Sequence, residues 1–135
     1  MNKALEFFIH FDDCDPAGIV FFANYFKLAH RAIEEFLPQI GIEWDDWFNN
    51  SEYGVPLVNA SSDFKQPMFQ GKKYLALVTP IRIGESSVSF QCEFKTQNGE
   101  LCASVSTTHV FIDTKARKKT PIPQQIKIKL MEATA

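Results

Sequence analysis

Apolar residues recur along this chain with two different periods. From about Val20 to Leu37 they fall at Phe22, Phe26, Ala29, Ile33 and Phe36, spaced four, three, four and three, with Lys27, Arg31, Glu34 and Glu35 largely elsewhere on the helical wheel. That spacing predicts a long helix with one strongly apolar face, closed by Pro38 and Gly41. Ahead of it, Leu5 to Phe11 reads as a first strand, stopped by the turn-rich run Asp12-Asp13-Cys14-Asp15-Pro16-Ala17-Gly18. After it, Ile42 to Asn49, with Trp44, Trp47 and Phe48, predicts a short second helix or an aromatic lid. From Val55 onward the period becomes that of strands: Val55 to Lys65, Tyr74 to Ile83, then Val88, Phe90, Cys92 and Phe94 alternating with Ser89, Gln91, Glu93 and Lys95. Gly84-Glu85 marks one turn and Asn98-Gly99 a hairpin leading into Leu101 to Ile112. Pro121 and Pro123 end the sheet, leaving a short, weakly defined tail. The order of strand, long helix and antiparallel strands predicts an α+β domain in which a sheet wraps one helix. Open edge strands in such an arrangement favour pairing with a second copy.

Composition narrows the class. With 135 residues, 45% of them hydrophobic and 13 of them phenylalanine, the chain suits one domain, residues 1 to 135, around a substantial core. A net charge of -2 argues against nucleic acid, whose partners are usually basic overall. The longest uninterrupted apolar run, Ala17 to Ala23, is too short to cross a membrane. The N-terminal MNKALEFFIHFDDCD reaches acidic residues before a signal-peptide core develops, which predicts a cytoplasmic chain. Cys14, Cys92 and Cys102 are odd in number and widely spaced, so disulfides are not expected. His10, His30 and His109 share no zinc-motif spacing, and no metal is expected.

Candidate chemistry concentrates where the loop meets the helix. Asp15 precedes a helical first turn whose backbone N–H groups lack intrahelical partners and carry the positive end of the dipole. A carboxylate beside such donors can attack a carbonyl or activate water while the donors stabilise the developing oxyanion. The same residue also reads as a turn or cap that stabilises the start of the helix. Cys14 lacks an evident histidine partner and is not expected to be a nucleophile.

The segment DCDPAGIVFFANYF resembles the signature of the 4-hydroxybenzoyl-CoA thioesterase family of hot-dog-fold enzymes, in which Asp-x-x-Gly-[Ile/Val]-Val-x-[Phe/Tyr] opens the central helix. The order of elements over most of the chain is also that of a hot-dog domain, a long central helix wrapped by a curved antiparallel sheet. The resemblance implies that Asp15 is the catalytic carboxylate, as nucleophile or general base, and that the backbone N–H of Phe22 polarises the thioester carbonyl. Val55-Pro56-Leu57-Val58-Asn59-Ala60-Ser61-Ser62-Asp63-Phe64, Thr107-Thr108-His109-Val110 and Arg117-Lys118-Lys119-Thr120-Pro121-Ile122-Pro123 look closest to the 1,4-dihydroxy-2-naphthoyl-CoA thioesterase branch, which His30 also fits. Where the 4-hydroxybenzoyl enzyme carries basic residues for CoA, this chain has Glu85-Ser86-Ser87.

The activity so implied is hydrolysis of an aromatic acyl-CoA, of the 1,4-dihydroxy-2-naphthoyl or 4-hydroxybenzoyl type, to the free acid and CoA. CoA enters as part of the substrate, and no separate cofactor is required. Arg117, Lys118 and Lys119 are candidates for its phosphates, or simply a solvated basic turn. His30 either touches substrate or orients Asp15, or else it is a helix residue satisfied by a neighbouring polar group. In this family sites form between subunits, so a homodimer or homotetramer is expected. The competing reading is a non-catalytic acyl-CoA or acyl-carrier binding module of the same fold, which would have no need of Asp15.

Overall fold

In the computed structural model, which describes residues 4–134, alternation is converted directly into a sheet. Strands β1 (Leu5–Phe8), β3 (Leu57–Phe64), β4 (Lys73–Ile83), β5 (Ser87–Lys95) and β6 (Leu101–Val110) form one antiparallel sheet in the order β1-β4-β5-β6-β3. The two-residue strands β2 (Tyr53–Gly54) and β7 (Ile112–Asp113) pair separately. Helices are α1 (Asn24–Gln39), α2 (Trp44–Phe48) and α3 (Gln124–Glu132), with a short 3-10 turn at Phe11–Asp13.

Period-two patterning puts one apolar face of the sheet against α1. Register aligns Ala76 with Phe94 and Phe94 with Ala103, so a large ring sits between two small side chains. The next row is Val78, Cys92 and Val105, and the next Pro80, Phe90 and Thr107. From the helix, Tyr25, Leu28, Ala29, Ala32, Ile33, Phe36 and Leu37 are buried. Phe36 meets Phe90 edge-on with centroids 6.1 Å apart, and Tyr25 meets Phe94 at 6.1 Å. α1 touches β3, β4, β5 and β6 in turn, and interruptions of register at Leu57/Asn59, Pro80/Arg82 and Phe94/Lys95 bend the strands around it. The opposite face is wetter and cross-linked by side chains, Ser89 Oγ lying 2.8 Å from Thr108 Oγ1 and Gln91 Nε2 3.1 Å from Ser104 Oγ.

Three expectations are corrected. The helix begins at Asn24, not Val20, because Cys14 bridges Val20, Ile19 bridges Phe69, and Phe21 N–H is held by the Asp13 carbonyl at 3.1 Å. The first strand ends at Phe8, since residues 10–13 turn back under a hydrogen bond from His10 N–H to Asp13 Oδ2 (2.8 Å). The tail is no loose end: α3 buries Ile126 and Leu130 against the core and packs on β4. All three cysteines are free. Among the described residues no helix is long and apolar enough to cross a membrane.

Candidate active site

The loop at residues 13–23 is built by its own backbone. Asp15 N–H bonds Ile19 O at 2.9 Å and Gly18 N–H bonds Asp15 O at 2.9 Å, closing a tight turn that Gly18 completes at φ +81°. Within it, Asp15 Oδ1 accepts the Ala17 N–H at 2.9 Å, an Asx turn that fixes the carboxylate without burying it. Buried Asp13 anchors the loop to α1, its carbonyl also accepting from Asn24 Nδ2 at 2.8 Å. Asp15 is therefore both the turn residue and an available carboxylate.

At the head of α1 the amides are unequal. Those of Asn24, Tyr25 and Phe26 bond back to Phe21, Phe22 and Ala23 carbonyls. Among the described residues, nothing accepts the N–H of Phe22 or Ala23. These are donors at the positive end of a 16-residue helix.

A cleft of about 480 Å³ brings the pieces together, lined by Asp15, Ile19, Val20, Phe21, Phe22 and Tyr25 on one side and Phe64, Lys65, Gln66 and Pro67 on the other. Phe22 is 61% exposed there, and its ring lies 4.8 Å from that of Phe21. Tyr25 forms part of the wall, its ring 5.0 Å from that of Phe64, and burial pushes its phenol up to about 12, so it stays protonated. Burial, then the charges of Asp13 and Asp15, raise the Cys14 thiol, which keeps it out of the thiolate form a nucleophile needs. The arrangement suits a flat apolar group presented to a carboxylate, with amide donors for a carbonyl oxygen.

The other candidates lie elsewhere. His30 is one face round the helix, its Nδ1 2.7 Å from Glu34 Oε2 and its ring 5.7 Å from Phe48; it does not line the cleft. Arg117, Lys118 and Lys119 occupy an exposed turn after β7, where Asp113 Oδ1 accepts the N–H groups of Lys115 and Ala116 at 2.9 and 2.8 Å. Those two backbone bonds hold the Asp113 carboxyl below its usual range. This turn stands at the Leu57 end of β3 and the cleft at its Phe64 end, a strand's length away, about 23 Å at 3.3 Å per residue. His10, Asp12 and Asp13 gather ligand-type atoms within 4.8 Å, a cluster accounted for by the cap that Asp13 makes on His10 N–H.

Tyr25, Phe64, Lys65, Gln66 and Pro67 escaped sequence reasoning as site residues. Tyr25 sat inside the informative segment but off the predicted stripe. The other four are some 50 residues away from Asp15 and join it only through strand pairing, which carries no local signal.

A long helix, α1, wrapped by a bent antiparallel sheet is the hot-dog fold, and at the head of that helix stand a carboxylate and amides with no partner among the described residues. The thioesterase-like superfamily model matches residues 9–130, and the chain belongs to that superfamily. A 1,4-dihydroxy-2-naphthoyl-CoA hydrolase from Crocosphaera subtropica is 34% identical over 120 residues, covering 87% of this chain and 88% of its own. One from Nostoc punctiforme is 38% identical over 119 residues, covering 87% and 79%. The crystal structure of a 1,4-dihydroxy-2-naphthoyl-CoA thioesterase from Synechocystis superposes with a TM-score of 0.88 at 26% identity, covering 98% of this chain and 97% of that one.

Proposed function

We propose that the protein is an acyl-CoA thioesterase that hydrolyses 1,4-dihydroxy-2-naphthoyl-CoA to the free acid and CoA. The observation that carries the chemistry is the cleft shared by the Asp15 carboxylate and the unpartnered Phe22 N–H. The naphthoyl substrate follows from the relatives, which bear that name at 34% and 38% identity over most of their length.

In the reaction, Asp15 attacks the carbonyl carbon or takes a proton from the attacking water. The carbonyl oxygen gains charge and is met by the Phe22 N–H, and the thiolate of CoA leaves and is protonated. Along the nucleophilic route the acyl–Asp15 anhydride is hydrolysed by water in a second step. CoA is part of the substrate, and no resident cofactor is invoked.

The assembly we propose is a homodimer or homotetramer in the cytoplasm. Its support is β3, an edge strand whose side chains are exposed on both faces, with Leu57, Val58 and Phe64 each about half accessible. Pairing two β3 strands antiparallel about a two-fold axis would bring the partner's basic turn, Arg117 to Lys119, toward this chain's cleft.

The test is CoA release from 1,4-dihydroxy-2-naphthoyl-CoA, 4-hydroxybenzoyl-CoA, benzoyl-CoA and a medium-chain acyl-CoA. The naphthoyl ester should give the highest kcat/KM. Turnover of the medium-chain ester in preference to all three aromatics would overturn the substrate assignment. Binding of all four with none hydrolysed would instead support the acyl-CoA binding module.

A further inference from the structure

The corner where α3 packs on the end of β4 carries an apolar groove with a basic rim. Among the described residues β1 pairs with β4 only between Lys73 and Ala76, and α3 lies against β4 as well. A register shift between Pro80 and Arg82 takes Ile81 out of the ladder. The groove, of about 510 Å³, is lined by Ile81, Ile83 and Met131 together with Arg82, Lys127 and Thr134. Ile81 and Met131 are each about half exposed in it. No carboxylate lines it, and among the described residues neither Arg82 nor Lys127 forms an ion pair. Glu132, the next residue after Met131, lines a separate hollow with Gln39 and Ile40.

A feature of the opposite character stands close by. The chain enters α2 as Glu43-Trp44-Asp45-Asp46, and Trp44 is 55% exposed there. Its ring is held in place by Phe48, with centroids 4.5 Å apart. Among the described residues Glu43, Asp45 and Asp46 form no ion pair. The two features belong to one corner of the molecule, because Lys129 Nζ donates to Gly41 O at 2.7 Å and so ties α3 to the chain three residues before Trp44. At about 100° per residue, Lys129 lies on one flank of α3 and Lys127 and Met131 on the other, with the half-exposed Ile128 on the crest between them. The acidic tryptophan and the basic groove therefore flank the same short helix.

A two-fold interface needs complementary patches side by side on one surface, since each residue that contacts a partner position is met in return by its own counterpart. We infer that this corner docks a second copy of the chain, each copy seating Trp44 in the other's groove, with Glu43 and Asp45 facing Arg82 and Lys127. Charge and shape choose the occupant: an aromatic ring flanked by unpaired carboxylates meets an aliphatic groove flanked by unpaired cations. The ring is already fixed against Phe48, which lowers the cost of ordering it on docking. This contact is separate from the β3 edge, which lies at the other side of the sheet from β4 and α3. Used together, the two contacts join pairs of chains into a tetramer. Neither Asp15 nor the cleft takes part, so the inference stands apart from the thioesterase reading.

The experiment measures assembly mass by sedimentation velocity over a range of concentrations, with melting curves to show that each variant folds. Trp44→Ala should weaken this association about a thousandfold, because a two-fold contact loses the ring twice at about thirtyfold each, and should halve the mass of the assembled protein. Two charge reversals, Glu43→Lys/Asp45→Lys and Arg82→Glu/Lys127→Glu, should each do the same alone through like-charge contacts. Mixed one to one, they should regain the natural mass, since each reversed patch then meets its opposite in the other variant. Hydrolysis of the best ester should be unchanged in all of them, as β3 and the cleft are untouched. A natural protein that stays a single chain at every concentration, or folded variants of unaltered mass, would overturn the inference. So would two reversed variants that lose mass alone and fail to regain it when mixed.

Discussion

Gly18 sits at φ +81°, where a Cβ would find Gln70 Nε2 no nearer than 3.7 Å. Space is therefore not the obstacle to a side chain there; the left-handed backbone is, at about 1–2 kcal/mol. Gly18→Ala should lower stability by that amount in urea unfolding and lower kcat by more than KM changes, since the turn that strains is the one holding Asp15. A variant with normal kcat would separate the turn from catalysis. The contiguity of this segment is why Asp15 and Phe22 were legible in the sequence: eight residues contain the carboxylate, the glycine and the donor. Phe22 was legible for the wrong physical reason as well. It fits the apolar spacing of the helix, yet it precedes α1 and is exposed in the cleft.

At the scale of elements, the alternation in β5 was readable because one face is buried and the other wet, whereas the end of the chain was not. In α3 the apolar residues Ile126, Ile128 and Leu130 alternate as in a strand, and only Ile126 and Leu130, four apart, are buried. Leu130→Ala should cost about 2–5 kcal/mol, the range for emptying a packed site, measured as a shift in the denaturant midpoint. A surface-like change of under about 0.5 kcal/mol would mean α3 is dispensable. β6 makes a different prediction through His109, which is 2% exposed and enclosed by Trp47 and Phe90 rings 6.3 and 5.6 Å away. Burial, then the nearby His30, lower its folded value from 6.5 to about 4. Between those values the unfolded chain holds the extra proton. Its contribution to stability is thus complete above about pH 6.5 and lost as the pH falls toward 4, by up to about 1.4 kcal/mol per pH unit. His109→Leu should flatten unfolding free energy over that window; an unchanged slope would show that another group carries it.

The whole molecule combines a core that closes within one chain with an edge that does not. β1 ends one side of the sheet and β3 the other, and β3 alone exposes both its faces along nearly its whole length. Activity should therefore fall with assembly on dilution, followed by size-exclusion chromatography and CoA release on the same samples. A fully active monomer would contradict a site shared between copies. What the sequence lacked at this scale was distance. It named a basic turn and a carboxylate, but nothing in it says that they stand at opposite ends of β3.

The central claim is that the Asp15 carboxylate performs thioester hydrolysis, and Asp15→Asn tests it most directly. Asparagine keeps an Oδ1 to accept the Ala17 N–H, so the turn survives while the nucleophile or base is removed. With 1,4-dihydroxy-2-naphthoyl-CoA, the account predicts that kcat falls by about 10²–10⁴ with an unaltered melting curve. Turnover of the variant at the parent's rate, with the fold intact, would contradict it.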